Sequence, residues 1–215
     1  MSLLRTLFFV GLVSVFMPIW AGGATSVELP DGTKDLQQRL QSLNSLSARF
    51  SQTIYAVDDY IIQETSGHLQ MARPGKVRWI SDAPMEQWVI ADGETLWIYD
   101  PDLEQVSIRA FQKNLEKTPA VLFVGNLDTL STNYKILLET VAENETYTLL
   151  PLDKESLYTK LTLSFDGENP DSMNLYDTLG QRTEILFFEQ QINPSLDKTL
   201  FTFEPPEGVD ILRDE

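Results

Sequence analysis

Between Gly67 and Gln105 the chain falls into short runs of alternating apolar and polar residues, separated by turn-forming pairs. That pattern leaves it little choice but an antiparallel meander. Leu69, Met71 and Arg73 share one parity up to Pro74, and Val77 and Trp79 share another beyond it. Asp92-Gly93 is a tight-hairpin signal between Trp88-Val89-Ile90 and Leu96-Trp97-Ile98-Tyr99. Gly67 suits a bulge or a sharp bend. Three of the four tryptophans lie here (Trp79, Trp88, Trp97), and Arg73-Pro74 plants one arginine among apolar neighbours. Such a surface is better suited to holding an apolar ligand than to reacting with one.

The remaining chain follows the same rule with two interruptions. Leu36, Leu40 and Leu43 recur at helical spacing among polar residues and predict a short amphipathic helix. From Ser45 the period drops to two, with Leu46, Ala48, Phe50 and Ile54 on one face. The second interruption is Pro119 to Val124, apolar almost all round. Thr118 is placed to cap it, Pro119 fits the first helical position, and Gly125-Asn126 ends it. A further helical turn is expected near Leu127 to Leu130. Beyond it, strand-like segments continue to Ile192, and Leu200–Phe203 reads as the last one. About eleven short strands with helices in two places predict a mainly β fold, either barrel or sandwich.

The first 24 residues read as a secretory signal peptide. Arg5 precedes an apolar run from Thr6 to Met17, Pro18 ends that run, and Ala21, Gly22, Gly23 and Ala24 are small. Cleavage is expected after Ala24, with Ala21 as the alternative, leaving 25–215 as one exported domain. No cysteine occurs anywhere, which excludes disulfides, a thiol nucleophile, thiolate metal sites and lipid attachment at an N-terminal cysteine. The chain carries 16 basic and 32 acidic side chains. Arg5 is the only charged residue of the leader, so the remainder has 15 against 32, a net −17. Nucleic acid and anionic lipid surfaces repel such a protein. The acidity fits a partner with a basic face, or solubility alone.

Chemistry for catalysis is missing from the pattern. His68 is the sole histidine, and no G-x-S-x-G elbow or glycine-rich phosphate loop occurs. One histidine without cysteine cannot build a zinc site. Asp92, Asp100, Asp102 and Glu104 sit at turns and strand ends, where acids ordinarily shape the backbone. The expectation is a binding protein with no enzyme activity, no metal and no cofactor.

An ordered set of short motifs runs through nearly the whole of 25–215. It comprises Ala48-x-Phe50-x-Gln52, Gly67-x-Leu69, Arg73-Pro74-x-x-x-Arg78-Trp79, and Asp92-Gly93-x-x-Leu96-Trp97-x-Tyr99-Asp100-Pro101-x-x-Glu104-Gln105. Thr118-Pro119 and Phe201-x-Phe203-x-Pro205-Pro206-x-Gly208-Val209 complete it. In this the chain resembles the periplasmic outer-membrane lipoprotein carrier (LolA) family of Gram-negative bacteria. The resemblance implies an unclosed antiparallel β-barrel with a lid of short α-helices over its concave face. It implies a monomeric periplasmic chaperone. That chaperone takes acylated lipoproteins from an inner-membrane lipoprotein-releasing ABC transporter and delivers them to an outer-membrane lipoprotein receptor. It also implies that Arg73 latches the lid through the carbonyls of Leu40, Phe123 and Val124. Leu69, Met71, Val77, Trp79, Val89 and Trp97 are then candidates for the lipid-binding wall, with Leu40, Leu122 and Phe123 contributed by the lid. Parity alone does not say whether Trp88 and Trp97 face the cavity or pack between strands. A related periplasmic lipid carrier or lipid sensor of similar fold is the alternative. The strong acidity and the modest size of Val77 are not features of the family motif set.

Overall fold

The computed structural model describes residues 29–111 and 121–213, with only the backbone at 121 and 122. The expected signal peptide, Thr118 and Pro119 lie outside the described residues. The helices are α1 (Thr33–Ser42), α2 (Val121–Val124) and α3 (Leu130–Asn133). The strands are β1 (Ser45–Tyr55), β2 (Ile61–Ala72), β3 (Lys76–Ser81), β4 (Gln87–Asp92), β5 (Thr95–Asp100) and β6 (Gln105–Ala110). They continue with β7 (Tyr134–Val141), β8 (Asn144–Pro151), β9 (Tyr158–Asp166), β10 (Asn169–Asp177), β11 (Arg182–Ile192) and β12 (Asp210–Arg213). All twelve form one sheet in the order β12-β6-β5-β4-β3-β2-β1-β11-β10-β9-β8-β7. Its first and last strands are not paired to each other, so the sheet curls without closing. Every pairing is antiparallel except β12 with β6, which is parallel.

Two corrections concern the C-terminal part. Leu200–Phe203 is not a strand, because Lys198–Phe201 forms a 3-10 turn capped by Asp197, whose side chain accepts from the Thr199 N–H. The Phe alternation there reflects packing onto the sheet, not pairing within it. The true last strand is Asp210–Arg213, too short and too exposed to show an apolar face. The helical turn expected near Leu127 is a 3-10 turn, Leu127–Thr129, leading into α3.

Cross-strand register defines the two faces. One row runs Leu46, Met71, Val77, Ala91, Leu96, and the next runs Ala48, Leu69, Trp79, Val89, Ile98. Both rows belong to the main hydrophobic core or pack against it. With Leu161, Leu163, Met173, Ile185 and Phe187 they line the concave side. The opposite rows are Ser47, Gln70, Arg78, Ile90, Trp97, Ile108 and Arg49, His68, Ile80, Trp88, Tyr99, Val106. Ile90 and Val106 are fully buried although they point to the convex side. The segment between β11 and β12 crosses that side and touches β3 and β4. Phe201 is buried there, and the Phe203 ring meets Tyr99 at 5.5 Å and Trp88 at 6.1 Å.

Gly67 explains how the concave wall packs so closely. A Cβ at this position would stand 2.0 Å from the Ile80 carbonyl oxygen and 2.7 Å from Phe50 Cζ. Its absence lets the Phe50 ring lie across β2 and meet the Trp79 ring at 4.3 Å between centroids.

Candidate functional site

The concave wall is covered by α1 and the α2–α3 segment. Helix α1 turns Leu36 and Leu40 inward, with Leu43 just past its end, and all three are buried. From the other side Phe123 and Val124 are buried, and the Phe123 ring meets Phe187 edge-on at 5.5 Å. The apolar space that the wall offers is therefore filled by the lid's own side chains.

Arg73 stands at the end of β2, where the two parts of the lid converge. Its Nε donates to the Leu43 carbonyl at 3.2 Å and its Nη1 to the Gly125 carbonyl at 3.1 Å. Its backbone N–H donates to Asn44 O at 2.8 Å. Leu43 caps the C-terminus of α1 and Gly125 follows α2, so both acceptors belong to helix ends, whose last carbonyls lack intrahelical donors. The negative end of the α1 dipole also favours a cation there. The resemblance implies the carbonyls of Leu40, Phe123 and Val124; these two bonds go to Leu43 and Gly125, a few residues further along each part of the lid. Burial lowers the Arg73 pKa to about 10, so the guanidinium is charged at neutral pH despite its loss of water.

Leu69, Met71, Val77, Trp79 and Val89 lie together on the concave wall. Trp97 does not. It pairs with Ile90 and Ile108 on the convex side, and Ile98 takes the concave position in β5. Parity fixes which residues of a strand agree, but the C-terminal segment buries the convex side too, so aromatic content could not tell the faces apart. The Leu122 side chain lies outside the described atoms.

A second polar cluster, which sequence reasoning missed, holds α1 from its outer side. Arg39 forms an ion pair with Glu145 on β8, donates to the Gly167 carbonyl, and donates through Nε to the Tyr147 hydroxyl at 3.2 Å. Tyr147 donates in turn to Asp35, one turn earlier on α1. The Arg39 guanidinium also lies 4.7 Å from the centre of the Phe165 ring. Burial, reinforced by the Asp35 carboxylate, pushes the Tyr147 pKa up and keeps its hydroxyl protonated. Arg39 reads in sequence as an ordinary polar-face residue, and no local signal distinguishes it.

His68 is exposed on the convex side, 3.7 Å from Asp82, while Ser66 donates to that same carboxylate at 2.9 Å. The serine is directed at the acid and not at the imidazole, so the trio is not arranged as a nucleophile and its base. Among the described residues no His/Asp/Glu group is placed to hold a metal, and no helix is long and apolar enough to cross a membrane.

The sequence model described as outer membrane lipoprotein carrier protein LolA matches residues 41–204. The chain belongs to the LolA family. An outer-membrane lipoprotein carrier protein of Pseudomonas paraeruginosa is 38% identical over 217 residues, covering 100% of both chains. Another, from Chromohalobacter salexigens, is 39% identical over 183 residues, covering 85% of this chain and 87% of its own. In three dimensions the LolA-like fold also matches an uncharacterized conserved protein from Thermus thermophilus. The TM-score is 0.54 at 11% identity, over 85% of this chain and 99% of that one.

Proposed function

We propose that this protein is a periplasmic lipoprotein carrier that buries acyl chains against the Trp79 wall after displacing the lid. The observation that supports this most directly is the concave apolar wall covered by short helices, with Arg73 bonded to a carbonyl at the end of each part of the cover. An acyl chain of about fifteen methylenes gains about 12 kcal/mol on full burial. Phe123 and Val124 give up roughly 4 kcal/mol if they leave the wall, at about 2 kcal/mol each. Loading therefore exchanges part of one apolar contact for another, which lowers the net gain and helps keep the cargo releasable. Breaking the Arg73 hydrogen bonds, at about 1.5–3 kcal/mol each, biases the exchange toward release.

In this reading the leader 1–24 directs export, the chain works as a monomer, and it needs neither catalytic group nor cofactor. Cargo comes from an inner-membrane ABC transporter and leaves to an outer-membrane receptor. The test is depletion in the native cell, followed by locating outer-membrane lipoproteins and by mass spectrometry of lipid bound to the purified protein. Lipoproteins should accumulate at the inner membrane, and acylated lipoprotein should co-purify. Normal sorting after depletion overturns the reading, and a different lipid in the cavity transfers it to the related carrier or sensor.

A further inference from the structure

The corner between α1 and β1 is held from two sides. Arg73 takes the Leu43 and Asn44 carbonyls, as described. From the other side Asn193, just after β11, takes almost everything that remains. Its Oδ1 accepts from the Asn44 N–H at 2.7 Å and the Ser45 N–H at 3.1 Å, and its Nδ2 donates to the Ser42 carbonyl at 3.0 Å. Its own N–H donates to Ser45 O at 2.8 Å. Asn193 has a φ of 54°, in the left-handed region, and it precedes Pro194. Both circumstances disfavour an ordinary side chain there. Glycine would meet the φ without cost but would supply none of the three side-chain bonds. An asparagine resolves that conflict only if the bonds matter.

We propose that Asn193 is a positioning residue of the latch. It holds Ser42–Ser45 in the shape that presents the Leu43 carbonyl to Arg73. It also keeps α1 in place when the latch opens, so that the lid opens on its Val121–Gly125 side. The Arg39 cluster supports the second part, because it ties α1 to β8 and to the β9–β10 turn independently of Arg73. The inference rests on the carrier reading of Arg73.

The test measures affinity for a pyrene-labelled fatty-acid methyl ester in the full exported chain. The proteins are wild type, Asn193→Gly, Asn193→Asp, Arg73→Leu and the double variant Asn193→Gly/Arg73→Leu. Arg73→Leu should tighten binding at least tenfold, since each of its two hydrogen bonds to the lid carbonyls is worth about that factor or more. Asn193→Gly should tighten it roughly threefold to tenfold, and the double variant should not exceed Arg73→Leu, because the asparagine acts through the arginine. Asn193→Asp keeps the acceptor for both N–H groups but loses the donor to the Ser42 carbonyl, and should fall between wild type and Asn193→Gly. Hydrogen exchange on the ester-loaded protein should leave α1 amides protected while those from Gly125 to Asn133 exchange faster. Additive effects in the double variant overturn the inference alone. So does an Asn193→Gly protein that is less stable but binds the ester as wild type does, or equal loss of protection in α1. An Arg73→Leu protein with unchanged affinity removes the latch reading itself.

Discussion

Arg73 Nη1 donates to the Gly125 carbonyl at 3.1 Å and so joins the end of β2 to a segment 52 residues further along the chain. The bond is made to the backbone, so substitution of the acceptor's side chain leaves it intact and substitution of the donor removes it. The Arg73→Leu protein should still accept acyl cargo but deliver it at least tenfold more slowly to an acceptor membrane bearing the receptor. Delivery at the wild-type rate would falsify the latch.

Replacing Arg73 by lysine gives a sharper prediction. Burial lowers the arginine to about 10, and burial at the same place would lower a lysine too, from a starting value below that of arginine. Burial penalises the charged form of a base, so the charge, and the latch with it, is present below the lowered pKa and lost as pH rises through it. Affinity of Arg73→Lys for an uncharged acyl ester should therefore begin to increase at a lower pH than that of wild type as the solution is made alkaline. A level profile for the lysine variant contradicts the assignment of Arg73 to a desolvated site.

Trp79 and Trp97 separate the two faces spectroscopically. Variants that keep one of Trp79, Trp88 and Trp97, the others replaced by Phe, can be loaded with a bromine-labelled acyl ester. Emission from Trp79 should be strongly quenched, and emission from Trp88 and Trp97 should not. Quenching of Trp97 to the same degree would place the ligand on the convex side.

Gly67→Ala tests the close contact beneath that wall. The new methyl meets a backbone carbonyl at 2.0 Å, and β3 cannot yield without disturbing its pairing. Thermal unfolding should drop by roughly 6–12 °C, corresponding to about 3 kcal/mol. A melting temperature within a degree or so of wild type would mean that β2 and β3 do not approach this closely.

Phe123→Ala should move stability and affinity in opposite directions. The ring is fully buried against Phe187, so its loss should cost about 3 kcal/mol in denaturant unfolding. The same change removes a competitor for the wall and should tighten ester binding. If affinity falls together with stability, Phe123 holds the ligand and does not compete with it.

The sheet was legible because parity is a property of neighbours. Leu69, Met71 and Val77 had to agree, and Asp92-Gly93 had to turn. Which side of β4 and β5 is concave was not legible. Alternation identifies a buried face only when the other face is wet, and Phe201 and Phe203 cover part of the other face. The same two rings imitated a strand, since a segment lying across a sheet also sends residues inward and outward in turn. Arg73 was found through its motif, but the carbonyls it binds have no sequence signature, and the acceptors at these two bonds are Leu43 and Gly125. Arg39 and Asn193 were missed because their partners are remote, Glu145 on β8 for one and the Ser42–Ser45 corner for the other.

The pairing of β1 with β11, which sets Phe50 opposite Phe187, has a consequence for how the molecule comes into being. The greasy wall lies astride two strands made far apart in time. β6 gains its neighbour β12, and the sheet its backing, only when the final residues arrive. Contacts of such long sequence separation form late and slowly. No completed hydrophobic hollow can thus form until β11 has paired with β1. Until then the chain has no finished place in which to hold an apolar ligand.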